Sequence, residues 1–345
     1  MIIIRILLIP FSLIYSSVIF IRNKFFDAGA FRSYKVSKPV ISAGNITTGG
    51  TGKTPMVILI SDYFLSKGKK VGIISRGYKR SSKEPVLVCD GININDNTKE
   101  AGDELIMTAN ELMKKFKGSF FIAADSDRIQ AAEFLINRFN PDVIILDDGF
   151  QHRKIKRDLD IVLLDSHNFN NNRFLYNFTL PSGILRESFD SLRRADLIIQ
   201  NNKHEELKVI SELKIFKKEI FLMRYKSEYL IDNKNVILNH RGRNAVVFSG
   251  IADEESFKNM IKAEGIRIKE TMKFSDHHNY TEADIEFLKK RHSGDEIFIT
   301  TEKDFVKIRK FSEFIENYPV YFLKMKAELY TDSDSLFRKL DAIIL

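Results

Sequence analysis

A chain of 345 residues can form two domains that each bury a core, and a content of 44% hydrophobic and 29% charged residues excludes a disordered polymer. The net charge of +8 favours anionic partners, yet no Lys/Arg block or zinc-ligand pattern singles out nucleic acid, so phosphorylated substrates and acidic lipid headgroups come first. The single cysteine, Cys89, excludes an internal disulfide framework and suits a reducing compartment.

Residues 6–21 are almost wholly apolar, interrupted by Pro10 and a few hydroxyls, with Arg5 before them and Arg22 and Lys24 after. The run is shorter than the roughly 20 residues that cross a bilayer comfortably. Ala28-Gly29-Ala30 imitates a signal-peptide cleavage site, but charges stand between it and the apolar run. We read residues 1–25 as an apolar helix lying on or shallowly inserted in a membrane surface, the alternative being a helix buried in the core.

From Val40 an apolar strand leads into Gly44-Asn45-Ile46-Thr47-Thr48-Gly49-Gly50-Thr51-Gly52-Lys53-Thr54-Pro55. Lys53 and Thr54 then open an amphipathic helix carrying Met56, Val57, Leu59, Ile60 and Phe64. Glycines let backbone N–H groups converge on phosphate oxygens without Cβ clashes, and the helix N-terminus adds its positive dipole end. Lys53 can reach the β- and γ-phosphates, and the Thr54 hydroxyl can sit on Mg²⁺. Thr47, Thr48, Gly49, Gly50, Thr51, Gly52, Lys53 and Thr54 are therefore the expected nucleotide-phosphate site. The strict motif has glycine where this chain has Thr47, so Gly44 is expected to make the turn instead.

Further apolar strands are expected at 70–75, 86–89, 120–124, 143–146, 160–164 and 196–199, with helical segments between most of them. Strands without polar alternation imply a sheet covered on both faces. The expected fold is α/β: a P-loop NTPase-like, mostly parallel sheet with helices on both faces, spanning residues 26–202. The polar stretch 201–217 marks a passage to a smaller α/β lobe, residues 203–345, closing over the active site, with strands near 245–250 and 297–301.

Chemistry-bearing residues cluster where strands end. Asp147 and Asp148 follow four apolar residues and resemble the acidic strand end that holds Mg²⁺; a plain turn cap is the alternative. Asp103 and Glu104 enter a helix, where they either cap it or serve as general base and metal ligand. Asp276-His277-His278 precedes Thr281-Glu282-Ala283-Asp284, so a helix cap competes there with a histidine–carboxylate pair. Arg76 and Tyr78, His152, Arg157, Arg186 and Glu187 recur near strand ends, where guanidinium groups suit phosphate. Thr301-Glu302-Lys303-Asp304 is the weakest of these signals.

Taken together, Gly44-Asn45, Gly49 to Pro55, Ser75-Arg76-Gly77-Tyr78, Ala101-Gly102-Asp103-Glu104, Asp147 to Arg153, Leu185-Arg186-Glu187, Asp276-His277-His278 and Thr301 to Asp304 resemble, in order, the tetraacyldisaccharide 4′-kinase (lipid A 4′-kinase) family. The family shares the shifted first glycine of the P-loop. The resemblance implies transfer of the γ-phosphoryl of ATP to the 4′-hydroxyl of a tetraacylated glucosamine disaccharide 1-phosphate, by an enzyme at the cytoplasmic face of the inner membrane. It implies that Lys53 holds the phosphates, that Thr54, Glu104, Asp147 and Asp148 order Mg²⁺, and that Asp103 is the base. A histidine of the 277–278 pair would partner Asp103, His277 being preferred. Arg76, Tyr78, His152, Arg157, Arg186 and Glu187 fall to the lipid substrate. The expected partners are thus an acylated disaccharide 1-phosphate and the membrane surface, with no nucleic acid. Against this stand a partitioning-type ATPase switch, whose signature lysine is here Thr48, and a non-catalytic nucleotide-binding scaffold, which needs neither Asp103 nor the histidines.

Overall fold

The computed structural model describes residues 2–77, 84–95, 97, 102–203, 207–234, 236–239, 241–251, 254–276, 278–331 and 333–344. Tyr78 and His277 lie outside the described residues. The chain forms two compact units, the first made of Met1–Arg224 with Ala327–Leu345 and the second of Tyr225–Lys326.

The first unit opens with two helices, α1 (Ile2–Leu7) and α2 (Ile9–Asp27), Pro10 occupying the first turn of α2 where its missing N–H costs nothing. Their polar side chains hold the helices to the unit. Arg5 Nη1 donates to the Ser182 carbonyl at 2.8 Å, Tyr15 to the Arg186 carbonyl at 3.1 Å, and Arg22 to the Gln151 carbonyl at 2.7 Å. The other side chains tell a different story: Ile4, Leu7, Phe11, Leu13, Ile14, Val18, Phe20 and Ile21 are exposed, and Ser12 is the buried residue of α2. The core-helix alternative therefore fails. Among the described residues no helix is long and apolar enough to cross a membrane.

Next come β1 (Val40–Asn45), α3 (Lys53–Ser66), β2 (Val71–Ser75), β3 (Val86–Cys89), α4 (Asp103–Met113), β4 (Phe120–Ala124), α5 (Arg128–Phe139), β5 (Val143–Asp147), β6 (Leu159–Asp165), α6 (Ser166–Asn171), β7 (Leu197–Lys203) and β8 (Glu219–Ile231). The sheet order is β7-β6-β1-β5-β2-β4-β3, parallel except where β3 meets β4. Every residue of β1, β4, β5, β6 and β7 is buried, as the unalternating apolar pattern requires. Helices cover both faces. On one, α5 lays Ala131, Ala132 and Leu135 against Ile74, Phe121, Ile144 and Leu146. Because β2 and β5 lie to one side of β1 and β6 and β7 to the other, β1 ends at a topological switch point, where parallel sheets open a ligand crevice.

The role expected for Gly44 is corrected here. It lies within β1, and a Cβ there would stand 2.6 Å from Phe150 Cβ and 2.8 Å from Phe150 N. Glycine is needed for close approach of the segment after β5, not for a turn.

In the second unit the end of β8 is followed by β9 (Ile237–Leu238), β10 (Asn244–Ser249), α7 (Glu254–Ala263), β11 (Arg267–Lys273), α8 (Glu282–Lys289), β12 (Ile297–Thr301), α9 (Glu302–Ile308), α10 (Ser312–Asn317) and β13 (Val320–Leu329). Its strands run β11-β10-β12-β13, all parallel. Apolar clusters line this sheet, one built on Phe248, Phe298, Phe305 and Phe314, another on Val247, Phe257, Ile261 and Ile299.

The division differs from a boundary after residue 202. β8 continues the first unit's parallel ladder, pairing Leu197↔Glu219 through Lys203↔Arg224. The polar segment before it folds back, burying Leu213 and Phe216 in the first unit's core. The C-terminal helix α11 (Ser333–Ile344) also belongs to the first unit. Phe337 stacks on Tyr63 of α3 at 4.2 Å, while Asp341 accepts from Tyr63 at 2.9 Å and from Lys67 at 2.7 Å.

Candidate active site

Lys53 and Thr54 begin α3 directly after β1, with Gly49 and Gly52 at positive φ (104° and 99°), a conformation that L side chains resist. Side-chain amides brace the loop from below: Asn45 Nδ2 donates to Thr51 Oγ1 at 3.0 Å and Asn201 Nδ2 to the Thr51 carbonyl at 3.1 Å. Thr47 and Thr48 are taken up by structure. Thr47 is fully buried and bridges Leu185, and the Thr48 N–H donates to the Ile184 carbonyl at 2.8 Å. The turn left to meet phosphate runs from Gly49 to Thr54.

Facing α3, β5 ends in the two aspartates. Lys53 Nζ lies 3.8 Å from Asp148 Oδ1, and Arg186 Nη1 donates to Asp148 Oδ2 at 2.7 Å. Asp148 has positive φ (58°), which turns it away from Asp147. Their environments differ accordingly. Burial opposes ionisation of Asp148, but Lys53, Arg186 and Arg128 outweigh it and hold the carboxyl below the usual range. Asp147, fully enclosed and next to Glu104, is pushed up to about 7 by burial and by that neighbouring charge, with Lys53 acting in the opposite direction. Asp103 and Glu104 form the first turn of α4, where Asp103 Oδ1 accepts from the Glu104 N–H at 3.1 Å. One strand end thus presents a carboxylate whose charge is favoured by nearby cations and a second carboxyl whose ionisation is opposed by burial and by Glu104.

Arg128, unforeseen in the sequence, belongs with this group. It starts α5 at the end of β4, is 4% exposed, donates to the Asp125 carbonyl at 2.7 Å, and interacts electrostatically with Asp148 and Asp147. The available signal was a strand followed by Asp125-Ser126-Asp127-Arg128, the same strand-end grammar as the other sites.

Several residues expected at the substrate serve otherwise. Arg157 precedes β6, at the end of the sheet opposite the P-loop, and is bound to Asp160 (2.8 Å) and the His152 carbonyl (2.9 Å). Glu187 is 1% exposed and accepts from Asn23 at 2.9 Å and Arg194 at 2.7 Å, tying α2 to the core. Arg76 follows β2 and is exposed. In the second unit His278 Nε2 is committed to Asp284 Oδ2 at 3.0 Å, and Asp284 closes the capping box of α8 with Thr281.

His152 is half-buried; burial first, then Arg128, oppose its protonation and push it down from 6.5 to about 4. An unfolded histidine binds its proton near pH 6.5, so this group's contribution to stability is complete above that value and is lost as pH falls toward 4. His152→Asn is expected to flatten that part of the Tm-versus-pH curve, and an unchanged slope would assign the dependence to other groups.

A cavity of about 460 Å³ opens at the C-terminal ends of β6 and β7, lined by Asn170, Arg173, Asn202, Lys208, Ile210, Ser211 and Glu212. Its rim carries the Arg173–Glu212 ion pair at 2.6 Å. Among the described residues no three His, Cys, Asp or Glu side chains converge as a metal cage.

Residues 4–345 match the family model described as tetraacyldisaccharide-1-P 4′-kinase. The tetraacyldisaccharide 4′-kinase of Chlorobaculum parvum is 35% identical over 98% of this chain and 94% of its own length. That of Aquifex aeolicus is 36% identical over 93% of this chain and 94% of its own. The crystal structure of LpxK from Aquifex aeolicus in complex with ATP superposes with a TM-score of 0.81 at 32% identity, covering 99% of this chain and 100% of that one.

Proposed function

This chain belongs to the tetraacyldisaccharide-1-P 4′-kinase family, and from that premise we propose how its residues carry the reaction. The activity is the ATP-dependent 4′-phosphorylation of a tetraacyldisaccharide, a step of lipid A biosynthesis. The observation that carries the assignment of roles is the pairing of Lys53 and Arg186 on the two oxygens of Asp148, at the mouth of the P-loop. These cations exchange a carboxylate for phosphate oxygens when ATP arrives, and Gly49 to Thr54 supply backbone N–H groups at a helix N-terminus.

The donor set fits Mg²⁺. Asp147 and Glu104 are hard oxygen ligands crowded together, so a divalent cation would offset the burial and the repulsion that oppose ionisation of Asp147, and Thr54 would add a hydroxyl. When bound, Mg²⁺ neutralises charge on the β- and γ-phosphates. Arg128 contributes a buried positive charge to the same group. Asp103 is the general base for the 4′-hydroxyl. The nucleoside takes the cavity at the ends of β6 and β7, which Asn201 links to the P-loop. The acceptor then approaches from the side of Asp103 and Arg76.

The test is direct: purified protein, ATP, Mg²⁺ and disaccharide 1-phosphate lipid should yield the lipid heavier by one phosphate. ADP release without lipid would favour a switch ATPase instead.

The enzyme works at the cytoplasmic face of the inner membrane, a reading supported by its bacterial relatives and by the exposed apolar side chains of α1 and α2 beside Arg22 and Lys24. Deleting residues 1–21 is expected to shift the protein from the membrane to the soluble fraction and to weaken action on lipid in vesicles. A truncated protein as membrane-bound as the parent would place the anchor elsewhere.

A further inference from the structure

Helix α2 meets the rest of the first unit with a polar face. Ser12, Tyr15, Arg22 and Asn23 fall on one helical stripe and carry its hydrogen bonds, while Phe11, Ile14, Val18 and Ile21 stay exposed. Such a stripe excludes little water from apolar surface. What it supplies is direction, because each bond fixes a donor against an acceptor.

The bonds converge on residues 179–187. Thr179 Oγ1 donates to the Ser12 carbonyl at 2.9 Å, and the Ser182 N–H donates to Ser12 Oγ at 2.8 Å. Tyr15 donates to the Arg186 carbonyl at 3.1 Å, and Asn23 Nδ2 to Glu187 Oε2 at 2.9 Å. The other edge of the segment lies against the P-loop. The Thr48 N–H donates to the Ile184 carbonyl at 2.8 Å and the Arg186 N–H to the Ile46 carbonyl at 2.7 Å, with Leu185 opposite Thr47. Arg186 is therefore bonded through both backbone groups, its N–H toward the P-loop and its carbonyl toward α2, which fixes the peptide planes on either side of its Cα. From that backbone its guanidinium reaches Asp148 Oδ2 at 2.7 Å. A second tie runs alongside: Arg22 donates to the Gln151 carbonyl at 2.7 Å, and Gln151 Nε2 donates to the Asn45 carbonyl at 2.8 Å, where β1 ends.

Tyr15 is chemically suited to hold its carbonyl. Burial, then the Glu187 charge, push its hydroxyl up from the usual value, with Arg186 and Arg22 acting in the opposite direction, so the group keeps its proton and donates. A helix that only held a surface would need its apolar side chains. A donor aimed at the carbonyl of an arginine in the phosphate site does something more.

We propose that Tyr15 is a positioning residue of the ATP site, setting through the Arg186 carbonyl the direction from which the Arg186 guanidinium meets phosphate. The proposal rests on the reading of Arg186 as a cation that passes from Asp148 to the phosphates of ATP.

The experiment compares Tyr15→Phe, Asn23→Ala, Arg186→Ala and the Tyr15→Phe/Arg186→Ala double variant, each as the full chain in detergent. It measures Kd for ATP with Mg²⁺ and no acceptor lipid, together with Tm and co-sedimentation with phosphatidylethanolamine–phosphatidylglycerol vesicles. Tyr15→Phe removes one oxygen and leaves the apolar face intact. It is expected to weaken ATP about 2- to 10-fold, the range of a single hydrogen bond, with vesicle binding unchanged. In the Arg186→Ala background that loss should vanish, because it acts through the guanidinium. A loss that persists there, or a wild-type Kd in Tyr15→Phe, overturns the positioning role. Weaker vesicle binding with Kd unchanged overturns it too, making Tyr15 part of the anchor. If Tyr15→Phe does not fold, Asn23→Ala, which releases Glu187 from α2 one residue further on, decides alone and combined with Arg186→Ala by the same criteria. Weak ATP binding in Arg186→Ala beside a wild-type Tyr15→Phe overturns the positioning role alone, whereas a wild-type Kd in Arg186→Ala removes the underlying reading and the proposal with it.

Discussion

Lys53→Ala is expected to cost about 10²-fold or more in turnover while the protein remains folded. The ammonium group stands at the start of α3, 3.8 Å from Asp148, and in the proposed mechanism it meets the negative charge that grows between the β- and γ-phosphates during transfer. Removing it takes away charge stabilisation that water cannot restore in a site formed by a buried strand end. Folding should survive, because Asp148 keeps its 2.7 Å contact with Arg186 and the side chain of Lys53 forms no part of the apolar core. Lipid phosphorylation followed by mass, with Tm recorded on the same sample, checks this. Turnover near wild type in a folded variant would remove the P-loop assignment.

Loss of Asp103 should be as severe and more specific. As general base it would be worth about 10²- to 10⁴-fold in kcat, with ATP binding little changed. Asp103 also begins α4 behind the N-cap Gly102 and accepts from the Glu104 N–H at 3.1 Å, so Asp103→Ala loses a first-turn carboxylate worth about 0.3–1 kcal/mol. Asp103→Asn separates the two roles, since an amide can still accept that hydrogen bond but cannot take up the hydroxyl proton. The expected outcome is a large loss of kcat in both variants, with a Tm decrease mainly in Asp103→Ala. Activity retained by Asp103→Asn would leave Asp103 a cap and require another base.

The parts of this site that were legible in the sequence are local ones. Val40 to Pro55 states its own strand, turn and helix within sixteen residues, and the role proposed for Lys53 rests on that order. Asp147 and Asp148 were equally readable, because an uninterrupted apolar strand announces where it ends. Their division of labour was not. Asp148 is paired with Arg186, thirty-eight positions away, and Asp147 is crowded by Glu104 from another helix. Arg128 went unnoticed for the same reason: it joins the carboxylates because β2, beside β4, pairs with β5, an arrangement that residue spacing does not encode.

Arg157 and Arg186 look alike as sequence signals, and only the sheet separates them. One precedes β6 and sits at the far edge; the other reaches the strand C-termini. Glu187 likewise reads as a substrate carboxylate until α2 is seen to bury it. Gly44 reads as a turn until Phe150 is seen pressing against it. The sequence by itself determined the phosphate-binding loop, the parallel α/β layering and the kinase family, since each rests on residues close together in the chain. The tertiary structure decided which charges are neutralised, which are crowded, and that the C-terminal helix returns to the first unit. Those outcomes depend on strand order and burial, and electrostatic strength changes several-fold with the distance and solvent exposure that only packing sets.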